Sequence, residues 1–385
     1  MVAGGSALVD GSPRAAGPLP RPTGLGPRDE PGRAGTSPTA TVSLPARILI
    51  VRLGAIGDVV NALVFAAAIK ERAPGAHVGW AVHELARPLV EGNPVIDRVH
   101  LWRREGGARG FLKLVREVRA EGYELAVDLQ RITKSALLAR LSGARRVLGF
   151  DRARAKELSW LWTRERIAPG DPGAHMVAQY LEVARHLGCA VERPRHPLPA
   201  EAGAATWAEE LVGELGAQPL VLGIGASKPA NRWPPERWGA LGAASRRELG
   251  LPVCLVGAPQ EAEAARRALR SAGDGAGVRD LVGRTSLLQL AALEASARLF
   301  VGCDSGPMHL AAALGTPVVA LFGPADPRRT GPFGDGHRVV RVPPPCAPCN
   351  LKRCDQPRHA CMEDISVEHV LEAVRRTLAR PEEVR

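Results

Sequence analysis

The chain has 385 residues, a length that at roughly 150 residues per domain points to two domains. Hydrophobic residues at 45% and charged residues at 24% are soluble globular values, and no uncharged apolar run of about 18 residues exists, which excludes a helical membrane span. Lys and Arg number 51 against 40 Asp and Glu, a formal net charge of +11. That excess suits an acidic partner, whether a phosphorylated ligand, a nucleic acid or an anionic lipid surface, but aromatics at 4% leave no stacking platform for nucleic acid, and none is expected.

Residues 1–45 hold eight glycines and eight prolines. Such a stretch cannot bury enough apolar surface to offset its ordering entropy, and a disordered low-complexity tail is expected there. The N-terminus lacks the charged start, apolar stretch and small-residue cleavage site of a secretory signal, so a cytoplasmic protein is expected. From Arg47 the pattern changes to R-I-L-I-V-R-L, a short apolar run that reads as a buried parallel strand. A helix is predicted from Asp58 to about Arg72, then a strand over 76–82, a helix around Leu85 to Glu91, a strand over 95–101, a helix near Phe111 to Glu121 and a strand over 124–129. After a stretch rich in Pro and Ala at 193–205 the rhythm restarts, with strands predicted over 219–225, 252–257, 279–283, 298–304 and 317–323. Two doubly wound α/β halves follow: a first domain over 46–192, a linker over 193–216 and a second domain over 217–385. In such sheets ligands lie beyond the carboxyl ends of the strands, so the loops after strands carry the candidate residues.

The first of these loops is R-L-G-A-I-G-D-V-V, 52–60, where Gly54 and Gly57 permit a tight turn and Asp58 stands at a helix start. It has G-x-x-G and not the dinucleotide fingerprint, and Asp58 reads either as a helix cap or as a catalytic carboxylate. In the second half, V-G-C-D-S-G-P-M-H-L-A-A-A-L-G, 301–315, runs from strand to helix, so the amides from Ser305 through Gly306 to Met308 read as an anion site for a phosphate or as an ordinary capped helix start. Asp304 beside it can bind sugar hydroxyls, and His309 can donate to a phosphate or fill the helix–sheet interface. The loop G-A-S-K-P-A-N-R-W-P-P-E-R-W, 225–238, offers Lys228 and Arg232 to a diphosphate, or is a surface loop with a Trp anchored in the core. Cys346, Cys349, Cys354 and Cys361 follow C-x2-C-x4-C-x6-C, a spacing compatible with a structural zinc and equally with reduced thiols or local disulfides.

Taken together, these segments, with D-L-Q-R-I-T-K-S-A-L-L-A-R-L (128–141), G-F-D-R-A-R-A-K-E (149–157) and the closing C-M-E-D-I-S, resemble the ADP-heptose:lipopolysaccharide heptosyltransferases of glycosyltransferase family 9 over about 46–375. The resemblance implies a glycosyltransferase B fold, two Rossmann-like domains facing across a cleft. It also implies inverting transfer without a catalytic metal or other cofactor, and a nucleotide-sugar donor held mainly by the second domain. Asp58 matches the family's general base, and Asp304, Ser305, Gly306 and His309 match its donor motif. Glu261, or Glu263 close by, falls near a carboxylate that holds the nucleotide ribose. Many members carry Lys where this chain has Asn231, which leaves Lys228 or Arg232 to supply the cation. An anionic glycolipid acceptor would explain Arg87, Arg131 and Lys134 in the first half and place the protein peripherally on the cytoplasmic membrane face. Members with the same motifs can transfer another sugar or modify another glycan, and a non-catalytic nucleotide-sugar-binding protein of the same fold is the alternative.

Overall fold

The computed structural model describes residues 44–379 apart from Asp274. The tail expected over 1–45 lies outside the described residues except for Leu44 and Pro45.

Six strands, β1 (Arg47–Val51), β2 (His77–His83), β3 (Arg98–Trp102), β4 (Leu125–Asp128), β5 (Arg146–Gly149) and β6 (Glu165–Arg166), form a parallel sheet in the order β3-β2-β1-β4-β5-β6. Its crossovers include α1 (Ile56–Arg72), α2 (Gly107–Ala120) and α3 (Thr133–Leu141), and α4 (Met176–His186) follows β6 and packs on α1. Helices on both faces bury the central strands, which is why β1 is an unbroken apolar run rather than an alternating one. Ile48 and Ile50 point into one core with α1 and α4, and Leu49 and Val51 into the other with α2 and α3.

The segment 193–216 contains α5 (Ala202–Leu215). Beyond it β7 (Leu220–Gly223), β8 (Val253–Val256), β9 (Val278–Asp280), β10 (Leu299–Cys303), β11 (Val318–Leu321) and β12 (Arg338–Val340) make a second parallel sheet, ordered β12-β11-β10-β7-β8-β9. Read from its β9 edge, this is the strand order of the first sheet, and both are doubly wound Rossmann-like sheets. Its helices are α6 (Pro235–Leu249), α7 (Ala262–Ala272), α8 (Leu287–Ala295), α9 (Gly306–Ala313), the short α10 (Pro327–Thr330) and α11 (Ala360–Glu363), and α12 (Val367–Leu378). The two domains face each other across a cleft, and α1 meets α9 where they touch. Leu310 of α9 and Ala291 of α8 are buried in the first domain's core.

Among the segments that depart from the sequence expectation, two lie in the first domain beside β2 and β3. The helix expected around Leu85 to Glu91 is a 3₁₀ turn over Glu84–Leu89 with Pro88 inside it, a residue that cannot donate to a continuing helix. The third strand starts at Arg98, not at 95, because the Asn93 side chain accepts from Val95 N–H (3.2 Å) and its carbonyl from Ile96 N–H (3.0 Å), curling those residues into a turn.

Candidate active site

The order of a doubly wound sheet reverses beside its first strand, and the crevice at that reversal is where ligands enter. Here the reversals lie between β1 and β4 and between β7 and β10. Asp58 follows β1, Arg131 and Lys134 follow β4, Lys228, Asn231 and Arg232 follow β7, and Asp304 to His309 follow β10. Two crevices therefore collect most of the candidate residues.

α1 and α9 approach so closely that a Cβ on Gly57 would fall 2.3 Å from His309 Cδ2, and one on Gly306 would fall 2.9 Å from Ile56 Cγ2. Glycine at both positions lets the starts of the two helices touch. Asn61 Nδ2 lies 3.3 Å from His309 Nδ1, and His309 Nε2 lies 3.7 Å from Asp304 Oδ1, a polar chain from one domain to the other. α1 begins at Ile56, so Asp58 is its third residue and not its N-cap. Its carboxylate reaches back toward the Ala55 N–H at 3.4 Å and is paired with the buried Arg52 guanidinium. Desolvation pushes the Asp58 carboxyl up, but Arg52, then His309 and the Ala55 N–H, outweigh it and hold the pKa below the ordinary carboxylate value. The group is half-exposed and ionised at neutral pH. Arg52 itself gave no signal in the sequence, where a basic residue ending a strand reads as a solvent boundary.

In the second domain Asn231 Nδ2 donates to both the backbone O and Oδ2 of Asp304, each at 3.0 Å. Asn231, where the resemblance leads one to expect a lysine, thus braces an acidic side chain. Ser305 caps the start of α9 through its backbone, and its buried Oγ has no partner among the described residues, nor has Asn231 Oδ1. Gly306 and Met308 contribute N–H groups of the first helical turn, unpaired within the helix, while the Met308 side chain is in the core. Glu261 is buried, accepts from Ala258 N–H at 2.7 Å and sits so close to Gly225 that a Cβ there would fall 2.9 Å from its Cδ. Glu263, in contrast, is exposed and paired with Arg266 at 2.6 Å. Arg232 Nε donates to Ala226 O (2.9 Å), leaving a terminal nitrogen 3.8 Å from Glu261. Lys228 is half-buried just before the 3₁₀ turn Pro229–Asn231. The Trp of this loop, Trp233, is anchored in the core, its Nε1 donating to Ile365 O at 2.8 Å.

The three basic residues of the first domain lie in different surroundings. Arg131, at φ 68°, turns inward and donates to Gln179 Oε1 (2.8 Å), within electrostatic reach of Asp58. Lys134 lies over the Trp102 ring at 4.3 Å. Arg87 is on the surface, paired with Glu91 at 2.6 Å. Lys156, unremarked in the sequence beyond its motif, has its pKa held down to about 8 by the desolvating protein around its ammonium and by Arg131 and Arg329.

Cys346, Cys349, Cys354 and Cys361 are free thiols lining one cavity of about 20 Å³ with Asp355 and His359. The zinc that their spacing allowed finds no ligand set: among the described residues no three His, Cys, Asp or Glu side chains are arranged to hold a metal ion. The segment instead closes on the second domain, with Asn350 N–H donating to Pro324 O (2.8 Å) and Ala230 N–H to Lys352 O (3.1 Å).

The model of glycosyltransferase family 9 (heptosyltransferase) matches residues 111–359. Lipopolysaccharide heptosyltransferase 1 of Pseudomonas aeruginosa is 32% identical over 323 residues, 80% of this chain and 87% of the relative. Lipopolysaccharide core heptosyltransferase OpsX of Haemophilus influenzae is 26% identical over 300 residues, 77% of this chain and 85% of the relative. Among solved structures, ADP-heptose lipopolysaccharide heptosyltransferase II of E. coli superposes with a TM-score of 0.69 at 25% identity, covering 86% of this chain and 98% of that one. A family 9 glycosyl transferase from Veillonella parvula shares the fold with a TM-score of 0.73 at 23% identity, covering 88% and 98%.

Proposed function

The chain belongs to glycosyltransferase family 9, and from that premise we propose that it moves a heptose from ADP-heptose to the inner core of lipopolysaccharide in one inverting displacement, with Asp58 as general base. The observation that carries this reading is the position of the ionised Asp58 carboxylate, at the start of α1 where it meets α9 and the donor loop. The acceptor hydroxyl gives its proton to Asp58 as its oxygen bonds to the anomeric carbon. The bond from that carbon to the diphosphate oxygen breaks on the opposite face, and its electron pair leaves with ADP. Because Asp58 is a weak base, its part grows only as the attacking oxygen becomes acidic in the transition state. The leaving diphosphate gathers negative charge, which the Gly306 and Met308 amides, Lys228, Arg232 and the Ser305 hydroxyl would receive. Glu261 would hold ribose hydroxyls and Asp304 sugar hydroxyls. With these donors neutralising the diphosphate, the reading calls for no divalent ion.

Acceptor recognition falls to the first domain, where Arg131, Lys134 and Lys156 offer charge to carboxylates or phosphates; Arg87, already paired with Glu91, would have to exchange partners. Asp58→Asn tests the mechanism. Turnover, followed as ADP release with saturating substrates, is expected to fall about a hundred-fold or more while donor affinity stays unchanged. Turnover within about two-fold of the parent would sink the assignment, since an amide in place of the carboxylate cannot take up the proton. Donor binding by the parent without turnover on any lipopolysaccharide acceptor would favour a non-catalytic binding protein.

A further inference from the structure

The segment 346–361 takes no part in the proposed transfer, yet it holds four of the chain's seven cysteines. All four line one cavity of about 20 Å³, room for about one water molecule, so the thiols converge on a very small space. Cys361 belongs to the core of the second domain, where its Sγ would lie 2.9 Å from a Cβ on Gly323 just after β11. Cys346 is exposed, and Cys349 and Cys354 are half-buried. In C-A-P-C, 346–349, an exposed thiol is thus followed three residues later by a second on the same cavity. That is the arrangement of a redox dithiol, with one cysteine open to an oxidant and another beside it to resolve the product. The remaining thiols are poor competitors. Burial pushes Cys361 and Cys189 up to about 11, and Cys254 and Cys303 up to about 12, so each stays protonated and shielded at neutral pH.

The same segment seats the loop 225–238. Ala230 is a wall of the cavity, and its N–H donates at 3.1 Å to the carbonyl of Lys352, which lies between Cys349 and Cys354. Asn350, at φ 57°, turns the chain from Cys349 toward Lys352, and its N–H donates to Pro324 O at 2.8 Å. Ala230 is the middle residue of the turn Pro229–Asn231, with Lys228 and Arg232 on either side and Asn231 holding Asp304. Any change of path between Cys346 and Lys352 therefore reaches the two cations offered to the diphosphate.

We propose that Cys346 and Cys349 are a peroxide-oxidisable pair, and that their disulfide draws Lys352 away from Ala230 and loosens the loop that holds the nucleoside diphosphate. The coupling rests on the reading of 225–238 as the donor loop; the pair itself does not. The Cys346 thiolate attacks one oxygen of hydrogen peroxide, forming an S–O bond as the O–O bond breaks, and the departing hydroxide takes a proton and becomes water. The Cys349 thiolate then attacks the sulfur of the resulting sulfenic acid. The S–S bond forms as the S–O bond breaks, and hydroxide again leaves as water. The two thiols give up two electrons and two protons, and one peroxide receives them. A reducing dithiol reverses the step by exchange.

The reduced full chain is treated with hydrogen peroxide, its free thiols are counted, the bridge is mapped by mass spectrometry, and ADP binding is measured by calorimetry before and after. Two of the seven thiols are expected to be lost, with Cys346 joined to Cys349. ADP affinity is expected to fall roughly ten-fold, the effect of about one charge-assisted contact, and to return with dithiothreitol. Cys346→Ser is expected to keep its remaining thiols and its ADP affinity under peroxide, and Cys349→Ser to trap a sulfenic acid that dimedone labels. Should either variant fail to fold, the bridge mapped in the parent decides. A bridge between other cysteines, an unchanged thiol count, a metal ion retained by these thiols in the purified chain, or parental ADP affinity in the fully bridged chain would each overturn the proposal. A reduced parent that binds no ADP would sink the donor-loop reading and the coupling together, and the thiol count tells that failure from failure of the pair.

Discussion

Arg52 decides what kind of carboxylate Asp58 is. Burial alone would raise the Asp58 pKa, and the guanidinium is the strongest of the groups that reverse the shift. The lowered value means that the pair stabilises the fold above the ordinary carboxylate pKa, and that this contribution is lost as pH falls through the folded value. The proposed base is therefore ionised over the whole neutral range, and the acid limb of kcat/KM should lie below pH 3.8, the ordinary value. Removing the guanidinium leaves desolvation in control. Arg52→Gln is expected to move that limb upward, with activity partly recovered at higher pH. A pH profile of kcat/KM checks this, and an unshifted limb would show that Asp58 is not the titrating base. Asp58 stood out in the sequence because G-A-I-G-D follows an apolar strand, but the motif left cap and base open, and only the resemblance favoured the base. Arg52 did not stand out, because its role depends on a buried side chain folding back from the strand end onto the next helix, which no spacing rule encodes. Nor did the sequence show that Asn231, read as a missing cation, would instead hold Asp304.

Between elements, the decisive contact is α1 against α9, which brings the proposed base and the donor loop within reach of one another. Gly57 makes it possible, since an alanine Cβ would overlap the His309 ring. Gly57→Ala should force the two helices apart at this point. A displacement near one ångström at a reacting centre can cost about a hundred-fold in rate, so kcat is expected to fall by about ten- to a hundred-fold with ADP affinity much less changed. Calorimetry with ADP beside turnover separates the two, and an unaltered kcat would mean that the contact is incidental to catalysis. The glycines were visible in the sequence as turn formers, but the clash that Gly57 avoids is with a residue more than 250 positions away. Local pattern located β1, β4, β7, β8, β10 and β11 because they are apolar runs closed by Gly or a polar residue. It passed over β5, β6 and β12, none of which holds more than two hydrophobic residues.

On the scale of the whole molecule, two sheets with one strand order are joined where α8 and α9 meet the first domain, and there α8 carries an unusual burden. Glu294 is fully buried, neither carboxylate oxygen has a partner among the described residues, and desolvation raises its pKa well above 4.5. Its protonated form persists in the folded chain at pH values where the unfolded chain has released the proton, so this group makes stability fall as pH rises above its unfolded value. Other shifted groups act elsewhere. The buried His100 and His196, held down to about 4, make stability rise with pH only up to 6.5, and Asp128, raised to about 6, is ionised in both states above that. Lys156 enters only from about 8, again favouring the fold as pH rises. Above pH 4.5 Glu294 therefore makes stability fall with rising pH until its raised folded value is reached. Urea unfolding of the parent and of Glu294→Gln, which keeps the shape and loses the titration, should give stability curves that part as pH rises above 4.5, the variant gaining on the parent. Parallel stability curves for the two proteins would mean that the carboxyl is solvated or paired in solution, and that the junction of the domains carries no proton-linked cost.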